Sequence, residues 1–313
     1  MNLSTKPVIY LLLLISITGT FSLDFKSDMK YQNEWVGLCR DGYLQSPIAI
    51  PNACGRSFLK HLNIKFINMH KPVKYVEVTN AGRQVVCEFD RFEVERAVII
   101  EATNDIAPFS SNVPYILQNI HFHHGRNNCT GTLHSLNGNH YFVEAHILFT
   151  RKEFHRNVSA GFTELGNTLE MVVLLELSDT HNRDWTVLNN LMLSKNLKES
   201  EKLNGIVNLN LLGLIPKYST YSLHHGSLPA SGCSEVITWI VFDKPLKCDT
   251  NVLAMRLYTY ISDGKEVPLE YNTRHIQSRN DRPVYQGRQA EVSYYEQNPN
   301  TKPKEVHLGC GCH

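Results

Sequence analysis

The chain has no excess of charge of either sign. Its 31 basic and 30 acidic residues leave a formal net charge of +1, too weak a field to favour nucleic acid or an anionic membrane as a partner. No run of basic residues supplies such a field locally. Internal repeats and long linkers are also missing, which argues against arrays and solenoids. Helical periodicity is sparse. Long apolar runs are absent apart from one at residues 8–17, shorter than the ~20 residues that span a bilayer. What remains is an ordinary globular composition, 42% hydrophobic and 19% charged over 313 residues, enough for a sizeable core.

The one apolar run reads as a targeting segment. Lys6 is the only charge before it, and the small residues Gly19, Thr20 and Ser22 follow. A positive start, a short apolar stretch and a small-residue cleavage zone describe a signal peptide, here residues 1–22. An uncleaved anchor is the other reading, and the shortness of the run argues against it. Residues 305–308 are too polar for a lipid-anchor signal. The expectation is a secreted, extracellular protein with no stable membrane anchor. All eight cysteines (Cys39, Cys54, Cys87, Cys129, Cys233, Cys248, Cys310 and Cys312) lie after the signal. An even number in an oxidising compartment suggests disulfides, with 105 connectivities open. Asn128 and Asn157 each begin a glycosylation acceptor triplet.

Many short segments read as strands. Residues 73–79, 85–89 and 97–102 are rich in β-branched side chains and bounded by turn formers. Residues 141–149, 170–177 and 238–242 are further candidates. The best helical pattern covers 249–260, with Leu253, Leu257 and Tyr260 near one face. The fold class expected is mainly β with short helices. One domain should run from 23 to 296, followed by an irregular cysteine-containing tail at 297–313.

His121-Phe122-His123 is the most informative segment. Alternate side chains of a strand share a face, so two imidazoles would stand roughly 6–7 Å apart along the backbone. That spacing lets both reach one zinc ion. A third ligand must come from a neighbouring strand, and His146 follows a turn at Asn137-Gly138-Asn139. His146 and Glu144 fall on one face. A lone strand histidine is ordinarily a hydrogen-bonded core or surface residue. Three in this pattern bring a metal reading level with that one, and spacing goes no further. Three histidines leave a fourth position open, as in catalytic zinc sites.

Several motifs carry a family likeness. Gln45-Ser46-Pro47-Ile48, His121-Phe122-His123, Glu144-Ala145-His146 and Gly226-Ser227-Leu228 occur in that order. Cys233, Glu235, Thr238 and Trp239 follow, then Asn272, Arg274 and Gln277. Together they span roughly residues 35–290 and resemble the motif series of the α-carbonic anhydrases. The resemblance implies one domain around a large, twisted, mostly antiparallel central sheet. It implies a Zn2+ cofactor held by His121, His123 and His146, with Glu144 behind His146 and Asn119 behind His121. By the resemblance Leu148, Met171, Leu228 and Trp239 would line the apolar substrate pocket; without it, ordinary core is the preferred reading of these four. Carbon dioxide and bicarbonate would be the substrates, interconverted by zinc-bound hydroxide. A disulfide between Cys39 and Cys233 is implied as well.

Three positions depart from the family pattern. Pro229 stands where a threonine follows Gly-Ser-Leu, removing both a hydroxyl and an N–H. Leu133 stands where a buried glutamate would receive that hydroxyl. Arg83 occupies the position of a proton-shuttling histidine, and a guanidinium stays protonated. His224 and His225 read as structural or exposed residues. Two functions follow from different classes. One is a zinc enzyme that hydrates carbon dioxide slowly. The other is a catalytically inactive, extracellular binding protein of the same lineage. A structural zinc is weaker, because the sequence offers no obvious fourth ligand.

Overall fold

The computed structural model describes residues 29–89, 94–102, 112–127, 130–248, 258–262 and 264–289. The expected signal peptide, the tail at 297–313 and Asn128 lie outside them. So do residues 249–257 of the expected helix. At its far end that expectation is corrected: Tyr260 is in a strand, paired with Val267.

In chain order the first strands are β1 (Ala49–Ile50), β2 (Ser57–Ile67), β3 (Val73–Asn80), β4 (Val85–Phe89), β5 (Ala97–Ala102) and β6 (Pro114–His124). The middle of the chain forms β7 (Ser135–Leu136), β8 (Val143–Arg151), β9 (Thr168–Leu177) and β10 (Lys202–Leu209). The last are β11 (Thr220–Gly226), β12 (Ile237–Phe242), β13 (Leu246–Cys248), β14 (Thr259–Ser262), β15 (Lys265–Pro268) and β16 (Tyr285–Gln289). Twelve of these join one sheet in the order β10-β3-β4-β6-β5-β2-β16-β11-β12-β9-β13, with β8 bridging β6 and β9. That bridge closes a ring of eight strands. Most pairs are antiparallel; β16 with β2 and β9 with β12 and β13 run parallel. The expected mainly β class and central sheet are therefore what the chain adopts.

Both faces of the sheet are covered. Along β9, Leu169, Met171, Val173 and Leu175 enter the larger core, while Val172 and Leu174 join a smaller cluster around Trp239. The larger core is capped by helix α3 (Arg183–Leu193), after two one-turn helices, α1 (Leu38–Asp41) and α2 (Val158–Gly161). Sequence reading passed over α3, although its signals are present. Asn182 caps it, its side-chain oxygen accepting from the N–H groups of Asp184 and Trp185 at 3.1 Å each. Trp185, Leu188 and Met192 are buried on one stripe.

The β6–β8 register positions the site. His121 lies directly opposite His146, and His123 opposite Glu144. Directly opposed residues of an antiparallel pair project from the same face. Before β8 the chain turns tightly from Leu136 to Asn139, with Asn137 and Gly138 both at positive φ, 53° and 79°. Asparagine and glycine are the residues that accept that geometry. Upstream, a bulge between Leu117 and Asn119 re-aims β6.

Candidate metal centre

His121, His123 and His146 bring one ring nitrogen each to within 4.8 Å of one another. All three are buried. The opposite nitrogen of each ring is held by the protein. His121 Nδ1 is 3.0 Å from Asn119 Oδ1, and His123 Nδ1 is 2.9 Å from the Asn272 carbonyl. His146 Nε2 is 2.7 Å from Glu144 Oε1. Such bonds fix tautomer and ring orientation. They leave His123 Nε2 and His146 Nδ1 buried with no hydrogen-bonding partner. Buried polar atoms ordinarily find one, so this donor set fits a metal. Burial pushes His121 and His123 down to about 3, in the neutral form a metal needs.

Glu144 is itself anchored. Its Oε1 also meets His134 Nδ1 at 2.7 Å, and its Oε2 accepts the His134 backbone N–H at 2.8 Å. Burial disfavours the charge, but His134 and His146 outweigh it and hold the carboxyl well below its usual range. Sequence reading assigned His134 no role. Its position immediately before the two-residue strand β7 gave no signal. Asn272 was noted only as part of a motif. Here its carbonyl holds His123 and its side chain takes the His124 N–H at 2.8 Å.

The family motifs meet in space. Arg274 donates to Gln45 Oε1 at 2.9 Å, to the Ser46 carbonyl at 2.8 Å and to the Cys39 carbonyl at 2.9 Å. Glu235 Oε1 accepts from Gln45 Nε2 at 2.8 Å and the Leu44 N–H at 2.7 Å. Ser227 Oγ accepts the Ser46 N–H at 2.9 Å. Cys39 and Cys233 are joined by a disulfide, with Cα atoms 4.9 Å apart. These contacts clamp the loop from Gly226 to Cys233 against the N-terminal segment. That loop carries Pro229, which is buried, and Leu228, which packs on the Trp239 cluster. The Trp239 ring stands 5.0 Å from the His146 ring. Leu148, two residues along β8 from His146, is on the same face and buried.

One pocket expectation needs correction. Met171 belongs to the larger core on the far side of β9, because successive strand residues alternate. The residue that faces the histidines is Glu170, opposite Leu148 in the β8–β9 ladder. It is 2% exposed, with Oε2 only 2.9 Å from His146 Nδ1. Burial disfavours charge on His146, yet Glu144 and Glu170 on either side push its ring up to about 9. Leu133 is fully buried. Arg83 is half-buried, its guanidinium 5.5 Å from the Tyr260 ring centre. His224 is buried beside the His134 ring, out of reach of solvent. Asn157 is exposed, and the Ser159 hydroxyl donates to its side-chain oxygen at 2.7 Å.

The sequence pattern of the eukaryotic-type carbonic anhydrases matches residues 30–288. The chain belongs to this family. It is 27% identical over 246 residues to a Caenorhabditis elegans protein of the carbonic anhydrase name, covering 78% of this chain and 89% of the relative. Alpha carbonic anhydrase 5 of Arabidopsis thaliana is 25% identical over 256 residues, 80% of this chain and 76% of the relative. Carbonic anhydrase 4 of Rattus norvegicus is 23% identical over 257 residues, 80% and 78%.

Proposed function

We propose that this chain is a secreted, zinc-binding carbonic anhydrase family protein in which carbon dioxide hydration is slow. The carrying observation is the convergence of three buried imidazoles, each with its outer nitrogen fixed. When bound, zinc supplies Lewis acidity that lowers the pKa of a coordinated water to about 7. The remaining chemistry falls to the chain. His121 and His123 present Nε2, and His146 presents Nδ1 while its Nε2 proton is held by Glu144. Trp239, Leu148 and Leu228 exclude bulk water. Pro229 has neither hydroxyl nor N–H to orient a nucleophile, and Leu133 has no acceptor to stand behind it. Arg83 cannot relay a proton near neutral pH. Removing one preorganised donor of this kind costs about 10²–10³ in rate.

Secretion is supported by the N-terminal apolar run and the Cys39–Cys233 disulfide. Among the described residues no helix is long and apolar enough to cross a membrane. The second reading, an inactive extracellular binding protein, is favoured by Glu170 at the pocket wall. Elemental analysis should give about one zinc per chain, lost in His146→Ala. Stopped-flow hydration by the zinc-loaded protein should run at least ~10²-fold below an efficient relative. Metal-free protein after purification in zinc would overturn the zinc reading, and rapid hydration would overturn the slow one.

A further inference from the structure

Glu170 is out of keeping with its surroundings. Its face of β9 continues into Val172 and Leu174, and across the ladder it meets Leu148. A carboxylate buried among apolar side chains persists only with a cation or hydrogen-bond donors to offset its desolvation. Among the described residues its one ion pair is with His146, at 2.9 Å.

His146 is a poor long-term partner. Its Nε2 is committed to Glu144. Its Nδ1 is the atom that completes the three-imidazole set, and a ligating nitrogen carries no proton to share. Once the set is filled, the cation available to Glu170 is the metal itself.

The three-imidazole set as it stands does not include Glu170, whose oxygen reaches it at the His146 end. At 2.9 Å, Glu170 Oε2 and His146 Nδ1 are close enough for a hydrogen bond, but their alignment is too oblique to make one. Neither atom has another partner. A carboxylate oxygen and an imidazole nitrogen on one tetrahedral zinc are roughly 3.4 Å apart. His123 Nε2 is a third unspent buried atom in the same place.

We propose that Glu170 is a fourth ligand of the zinc that competes with water for the position catalytic sites leave open. The inference rests on zinc binding by His121, His123 and His146. It gives Pro229 and Leu133 a common explanation. A hydroxyl and a buried carboxylate that orient a metal-held water have nothing to hold when that position is taken by protein. It also adds a negative charge beside the buried divalent cation, which offsets the cost of burying each.

The test loads the full chain with cobalt(II) and titrates azide, following the visible spectrum. A closed site in the wild type gives a spectrum indifferent to millimolar azide, while Glu170→Val opens the site and responds. In parallel, chelator competition should show zinc held at least about 10-fold more weakly in Glu170→Gln, since even partners beyond the ligands are worth that much. A wild-type spectrum that moves with azide as Glu170→Val does would overturn the proposal. Should the valine variant fail to fold, the wild-type titration and the near-isosteric glutamine variant still decide. A wild type that takes up neither cobalt nor zinc sinks the underlying zinc reading, and is told apart by its metal content.

Discussion

His134 grips Glu144 at two points, ring nitrogen to Oε1 at 2.7 Å and backbone N–H to Oε2 at 2.8 Å. The carboxylate is thereby turned so that Oε1 also faces His146. His134→Ala keeps the backbone bond and loses the ring bond. Zinc affinity should fall about 10–100-fold, the usual worth of such a partner. Chelator competition measures it. Unchanged affinity would mean that the backbone N–H alone aims Glu144.

The Cys39–Cys233 bridge spans 194 residues of chain. Replacing both cysteines with serine should destabilise the fold by about 2–4 kcal/mol, read as a lower urea midpoint without loss of zinc. Non-reducing peptide mapping should recover the two half-cystines in one linked pair.

A third expectation concerns acid. His224 is fully buried, with neither ring nitrogen hydrogen-bonded. Burial first, then the charges of His134, Arg282 and His225 against a smaller opposing pull from Glu144, hold it well below its ordinary 6.5. In the unfolded chain the ring protonates near 6.5; in the folded chain it does not. Below that pH the unfolded state binds the extra proton. Stability from this group is therefore complete above about 6.5 and lost as pH falls, by about 1.4 kcal/mol per unit. Urea unfolding at pH 7 and pH 5 should show a smaller loss for His224→Leu than for wild type. Equal losses would refute the assignment.

Hydration should resist repair at one place. Pro229→Thr with Leu133→Glu restores two groups but leaves Glu170 beside the metal position. That double variant should gain little, and adding Glu170→Val should gain much more, because groups acting as a unit are not additive. A double variant as fast as the triple would contradict this coupling.

How much of this was legible beforehand varied with the local signal. β4 and β5 matched their expected limits because β-branched runs stop at turn formers on both sides. The histidine set was legible because spacing of two is conserved by any strand. Glu170 was not. Residues 168–175 are buried on both faces, so polar–apolar alternation, which would have told Glu170 from Met171, is erased. The helix α3 was missed for a related reason: its buried stripe of Trp185, Leu188 and Met192 is interrupted by Asn189. Tyr260 was placed in a helix on spacing alone, where pairing with β15 decides for strand.

The hold of Asn272 on His123 has a consequence for biosynthesis. The ligand is made 149 residues before the carbonyl that orients it. While the chain is still emerging, His121, His123 and His146 can all be present and their strands paired, yet His123 is free to turn. A firm grip on the metal therefore has to wait until almost the whole domain has been synthesised, so the ion enters late, into a nearly finished protein.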